Sequence, residues 1–449
     1  MNQELPTGVA LHPLQDAGGV LKNRSFLYLW IAQAVSQTAL NATVYILIVK
    51  VEEWTGSSTA LGLLILSFII PSVVMGVAAG VFVDRWEKKR VMLVTNLLRM
   101  FIVAIFIPLG DAFVLILLIN LAYSVVSQFF APAEIASIPA LVPRRHLLVA
   151  NGLFNLTMSA AQLAGFIFFG PILLKSFGGD LVFGMLALSY AVCALLISLM
   201  RMEEPVVKPR ALDLKTGWLL EVVHELREGW NLMIKDSAVS ISVFHLTLMN
   251  SLILIIGMLA PGYVSRVLGI RADDAVFVMA PAGIGMVIGI WILPKLTERW
   301  PKELTAHIGV FGTACVLYGL ALVGAMGSQL IATGFLTRIG PVDLPDAGGV
   351  VFLVMLLALA LGIAYSFANV SAQTLVQERT PFDLRGRVFA TQLAFANTAA
   401  VFPLMFLGSL ADIIGINQVS LLTATVVLVA GIFSALQTRK IRALSWQRD

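Results

Sequence analysis

Three sets of polar side chains recur at four-residue spacing inside otherwise apolar runs. They are Gln33, Gln37 and Asn41; Asn120, Ser124 and Gln128; and Asn369, Gln373 and Gln377. A spacing of four lays each set along one face of a helix. Three such stripes facing lipid are costly, so they are expected to face protein or a wet cavity. A single amide is equally explained by an interhelical hydrogen bond worth about 0.6 kcal/mol. The coincidence of three stripes favours a cavity. Asn155, Gln162, His245 and Asn250 are further candidates for its lining.

Ionisable groups are scarcer in these runs. Arg99 lies nine residues beyond Arg90, so about 13 Å deep at 1.5 Å per residue. A lone central arginine costs about 2.5–3.5 kcal/mol even on the lenient insertion scale, so it needs a partner. It serves either as an anchor to carbonyls or amides, or as a substrate contact or coupling group. Glu134, near the end of its run, either pairs with Arg85 or Lys88 or carries a proton. His245 titrates near neutral pH when unperturbed, which leaves a core hydrogen bond and proton carriage both open.

Other chemistry is missing from the sequence. No nucleophile–base spacing, metal-ligand cluster or glycine-rich nucleotide loop with lysine stands out, so neither catalysis nor ATP drive is expected, and no cofactor. Cys193 and Cys315 each sit in an apolar run and suggest no disulfide framework. The net charge of +4 comes from short basic clusters, without the basic face of a nucleic-acid binder.

The elements that must position these residues are membrane spans. The chain has 449 residues, 59% hydrophobic and 12% charged, with a mean hydropathy of +0.91. So apolar a surface belongs in a bilayer, where a span needs about 20 residues. Spans are predicted at 26–49, 59–83, 91–109, 112–133, 150–174, 181–200, 238–262, 275–294, 304–326, 349–376, 387–410 and 418–437. An even number puts both termini on one side. That side holds 24 of the 30 Lys and Arg residues and the other 5, so the termini are expected in the cytoplasm. The first twenty residues, with Glu4 and Asp16, do not read as a cleavable signal peptide.

The longest connection, 201–237, divides the chain into six-span halves, 1–200 and 238–449. It opens with helix breakers Pro205 and Pro209. Leu219, Val222, Val223, Leu226, Trp230 and Met233 then recur at helical spacing, which predicts an amphipathic helix at the headgroups or inner face, with partner docking the alternative. The halves echo each other: Gly76 and Gly80 in the second span answer Gly285 and Gly289 in the eighth. Paired halves around a central site are a transporter architecture.

The most specific local signal is the loop after the second span, carrying Gly80, Asp84, Arg85, Lys88, Lys89 and Arg90. Gly76 and Gly80 permit close helix contact, and Asp84 can complement a neighbouring helix N-terminus. The loop resembles the signature of the major facilitator superfamily, with Glu87 where that family usually has glycine. The counterpart in the second half is degenerate, with Leu293 and Pro294 in place of the Asp-Arg pair. Two further segments are similar to the drug:proton antiporter type 3 branch, which includes macrolide and siderophore exporters. One holds Phe130, Ala131, Pro132 and Ala133 with Pro139, Pro143, Ala150 and Asn151. The other holds Ala372 to Leu375, Gln377 to Pro381 and Arg385 to Val388.

The resemblance implies an all-α integral membrane fold of twelve helices in two pseudo-symmetric bundles. It also implies a carrier that exposes one central cavity to each side in turn, with the loop locking the inner face. Efflux of a small amphipathic or hydrophobic compound coupled to protons is the expectation, from a monomer in a bacterial-type cell membrane, among membrane lipids. Gly165 followed by Phe166, and Gly170-Pro171 running into Ile172, depart from the antiporter pattern in the fifth span. A lipid translocator or importer of the same fold is the alternative, and a non-transporting scaffold or sensor the alternative of another class.

Overall fold

The computed structural model describes residues 20–110, 112–143, 146–202, 227–231, 233–271, 274–332, 348–381 and 384–445. Among the described residues twelve helices are long and apolar enough to cross a membrane. The first four are α1 (Arg24–Thr55), α2 (Ser58–Arg85), α3 (Lys88–Ile105) and α4 (Phe113–Leu141). The spans Val149–Gly178 and Leu181–Leu199 follow as α5 and α6. The last six are α7 (Ser237–Gly262), α8 (Ala275–Thr297), α9 (Lys302–Ala332), α10 (Gly348–Arg379), α11 (Arg385–Ile414) and α12 (Ile416–Ser445). Most of the predicted connection, 203–226, lies outside the described residues.

Several helices run past the apolar segments that announce them. The 32 residues of α1 extend about 48 Å at 1.5 Å per residue, beyond a hydrocarbon core of ~30 Å. Helix α4 continues eight residues past its predicted end at 133, through Pro132 and Pro139. Proline is tolerated there because neighbouring helices re-satisfy the freed backbone groups. Large apolar side chains such as Trp291, Phe402 and Ile413 point outward, as lipid-facing positions do.

Two compact units emerge. One comprises 1–45 and 74–211, the other 46–73 and 212–449. The end of α1 and the start of α2 therefore belong with the C-terminal helices, a grouping that a division at residue 200 does not contain. In the first unit, Phe26 and Leu29 of α1 share a core with Met92 of α3, Phe130 of α4, Phe154 of α5 and Ile197 of α6. In the second, Met233 of the described connection packs with Val243 and Leu246 of α7, Val376 of α10 and Val388 of α11.

Small residues set the closest approaches. A Cβ on Gly285 or Gly289 of α8 would collide with Leu359 or Ser366 of α10, and one on Gly362 of α10 with Ala282 of α8. The glycine echo noted in the sequence thus marks, in the C-terminal unit, a backbone-to-backbone helix contact of the kind small residues permit. Gly165 and Gly170 serve the first unit likewise, against Thr38 and Tyr45 of α1. Gly165 lies within a π-helical turn, Ala164–Phe169, and Gly170 follows it.

Candidate functional site

The C-terminal unit holds a cavity of about 200 Å³ lined by Leu246, Asn250, Tyr365, Asn369, Gln373 and Gln392. Leu246 and Asn250 come from α7, the next three from α10, and Gln392 from α11. Asn369 and Gln373 share a helix face because they are four apart, and Tyr365 extends the row. Asn250 Nδ2 donates to Asn397 Oδ1 at 3.3 Å, and Asn397 Nδ2 reaches Ser72 Oγ at 3.5 Å. Three predicted lining residues, Asn250, Asn369 and Gln373, thus meet at one cavity. Gln377 is exposed beyond it.

His245, one residue from Leu246, turns elsewhere. It is buried, its Nε2 is 2.8 Å from Ser434 Oγ of α12, and its ring stands edge-on to His307 at 5.0 Å. It packs in the bundle and does not line the cavity.

The amides of the first unit divide by environment. Gln33 and Asn120 are fully buried, and Gln33 Nε2 donates to the Phe154 carbonyl at 3.1 Å. Asn41 Nδ2 bonds the Gln37 carbonyl at 2.8 Å, and Gln128 Nε2 the Ser124 carbonyl at 3.4 Å. Gln37, Asn41 and Gln128 are half-buried, Ser124 is buried, and Asn155 and Gln162 are exposed. Buried Gln33 is thus the interhelical bond that a single amide permits.

Arg99 is 2% exposed. Its Nε donates to Ser127 Oγ at 3.0 Å, Nη1 to Ser36 Oγ at 2.9 Å and Nη2 to the Ser127 carbonyl at 3.1 Å. Its guanidinium lies 4.7 Å from the Phe130 ring centre. The needed partners are therefore hydroxyls, a carbonyl and an aromatic face. Glu134 is 0% exposed, and among the described residues its carboxylate oxygens have no hydrogen-bond partner. Pairing with Arg85 or Lys88 is therefore not what the structure has: α4 carries Glu134 into the core of the unit. Tyr123 and Tyr190 share a hydrogen bond beside this cluster.

The loop after α2 is partly described. The backbone of α2 runs through Gly80 and Asp84 to Arg85, while the Asp84 side chain lies outside the described residues. Lys89 Nζ caps the end of α6 through the carbonyls of Ser198 (2.9 Å) and Met200 (2.6 Å). Cations at a helix C-terminus complement its dipole. Arg90 pairs locally with Glu87 at 2.6 Å.

A cluster that the sequence reading missed lies within the second unit. Arg266 reaches Glu52 at 3.2 Å and Asp412 at 3.3 Å, and donates to Ser58 Oγ at 2.8 Å. The available signal was two acids at helix ends and one of the few cations on their side of the membrane.

The family model described as Major Facilitator Superfamily matches residues 29–340, more than half of the chain. The chain belongs to the Major Facilitator Superfamily. Among relatives of this superfamily, it is 23% identical over 423 residues to macrolide efflux protein A of Streptococcus pyogenes, covering 91% of this chain and 94% of that one. It is 23% identical over 390 residues to the multidrug efflux pump Tap of Mycobacterium bovis (strain BCG / Pasteur 1173P2), covering 84% of each. The fold matches the crystal structure of the nucleoside transporter NupG with a TM-score of 0.69 at 14% identity, over 92% of this chain and 99% of that one. A bacterial homologue of the human lysosomal transporter Spinster, in an inward-facing conformation, gives 0.63 at 15% identity over 94% and 97%. This superfamily member is a multi-pass membrane transporter of small molecules and not an enzyme.

Proposed function

We propose that the protein is a proton-driven exporter of a small amphipathic or hydrophobic compound, working as a monomer by alternating access in a bacterial-type cell membrane. The observation that carries this reading is the polar cavity framed by Asn250, Asn369, Gln373 and Gln392 inside a lipid-facing bundle. Such a site binds polar groups of a solute that the surrounding bilayer excludes. The direction rests on the two efflux relatives. The basic-residue asymmetry supports cytoplasmic termini.

Asp84 and Arg85, which end α2 in the signature loop, act as gate residues on the cytoplasmic face. Glu134 and Arg99, buried together in the first unit, form the coupling site, with Glu134 as the group that takes up and releases the proton.

The test is accumulation of a fluorescent dye and of antibiotics in cells. Cells expressing the wild-type protein are expected to accumulate less than cells expressing equal membrane levels of Asp84→Ala. Equal accumulation across a broad panel refutes export. In proteoliposomes, Glu134→Gln is expected to lose gradient-driven transport while retaining substrate exchange; loss of both would remove Glu134 from coupling.

A further inference from the structure

The cavity of the C-terminal unit is small and carries no formal charge on any of its lining residues. Its polar lining is Asn250, Asn369, Gln373 and Gln392, joined by Tyr365. At ~30 Å³ per water, about 200 Å³ holds roughly seven water molecules. Drug-sized ligands fill pockets of about 300–1,000 Å³. The cavity therefore accommodates one polar group of a larger amphipathic molecule.

Among the described residues, charges near the cavity are engaged elsewhere. Glu378, five residues beyond Gln373, pairs with Lys302 of α9. Arg379 lies 3.9 Å from Asp236, at the start of α7. His245 is turned toward Ser434 and His307. A charged group entering the cavity would find no counter-ion among the lining residues, and an unpaired charge is disfavoured wherever it gives up water. Amides, by contrast, present donors and acceptors side by side. One of the two Asn250 N–H donors is taken by Asn397, which leaves the other and its carbonyl oxygen. Among the described residues, the side-chain amides of Asn369, Gln373 and Gln392 bond no other protein group, so both of their polarities are open to a ligand.

Resting on the transport reading above, we propose that the part of the substrate seated in this cavity is an uncharged group with several hydrogen-bonding positions. A sugar-like cluster of hydroxyls or a neutral amide fits it; an ammonium or a carboxylate does not. Hydroxyls suit the lining because each donates and accepts, matching an amide in either orientation.

The experiment uses the purified full chain in lipid nanodiscs and three dansyl conjugates with one linker, ending in a glucosyl, a trimethylammonium or a sulfonate group. Binding is read by fluorescence polarisation. The glucosyl conjugate is expected to bind at least tenfold tighter than either charged one. Asn369→Leu is expected to weaken it at least fivefold and to leave the charged conjugates unchanged. Gln373→Glu is expected to shift preference toward the trimethylammonium conjugate, which keeps the test independent of how well the leucine variant folds. A charged conjugate that binds as tightly as the glucosyl one, through Asn369, overturns the inferred class while the cavity stands. Should no conjugate respond to either substitution, the cavity is not the substrate site, and the export reading built on it falls too. Absence of glucosyl binding beside tight charged binding also overturns the inference.

Discussion

The carboxylate of Asp412, near the end of α11, accepts hydrogen bonds from the backbone amide and the hydroxyl of Thr59 at 2.9 and 2.6 Å. It also accepts from the Ser58 amide at 2.7 Å. An anion here satisfies orphan N–H groups of α2 and complements its dipole. Gly56, with φ 56°, makes the tight turn after α1 that delivers Ser57, Ser58 and Thr59 to the carboxylate. Arg266, in the π-helical turn Tyr263–Val267 that follows α7, then joins Asp412 to Glu52, binding the α1–α2 hairpin to that turn and α11.

Glu52 has 2% of its side chain exposed, whereas Asp412 has 25%. Removing Arg266 strands a buried carboxylate, which costs about 3–5 kcal/mol. Arg266→Ala is expected to lower the Tm of the purified protein more than Asp412→Ala does, and Glu52→Gln combined with Arg266→Ala to recover part of the loss. Equal Tm values for all three variants and the wild type would remove the structural role of the cluster.

Arg99 makes three hydrogen bonds that a lysine cannot reproduce in the same fork geometry. Hydrogen bonds to charged groups contribute about 1.5–3 kcal/mol each. Arg99→Lys is therefore expected to destabilise the protein clearly, and Ser36→Ala less. A wild-type melting curve for Arg99→Lys is the contrary result.

Glycine packing supplies a paired test. Gly285→Ala places a methyl group against the Leu359 carbonyl, whereas a Cβ at Gly257 meets nothing within 4 Å. Overpacking costs about 1–3 kcal/mol, while Gly→Ala in an open helical position is stabilising by about 0.5–1 kcal/mol. Thermal denaturation is expected to rank Gly257→Ala above wild type and Gly285→Ala below it. The reverse order contradicts the α8–α10 contact.

His245 is expected to matter for packing and not for substrate choice. His245→Phe removes the bond to Ser434, whose hydroxyl keeps its bond to the Gly431 carbonyl, a loss of about 0.5–1.5 kcal/mol. Measured transport should retain its substrate ranking. A changed ranking would bring His245 back into the binding site.

The sequence carried some of this plainly. Twelve spans follow from apolar run length, because a bilayer demands that length of helix. The pair Asn369 and Gln373 follows from helical spacing, and the need of Arg99 for partners from the cost of a lone charge. Spacing defines a face but not what the face meets, so Gln33 and Asn155 read alike, although one is buried and the other exposed. Gln392 and Tyr365 joined the cavity only once α7, α10 and α11 were packed together. Glu52, Arg266 and Asp412 are separated by 214 and 146 residues, and no local pattern records such a meeting.

The most direct measurement is uptake of a labelled macrolide and a fluorescent dye into proteoliposomes under an imposed proton gradient. The wild-type protein is expected to concentrate at least one of them against its gradient, to stop when the proton gradient is collapsed, and to lose at least fivefold in rate with Asn369→Leu. Flux no greater than that of protein-free liposomes, or gradient-driven flux indifferent to Asn369, would contradict the account.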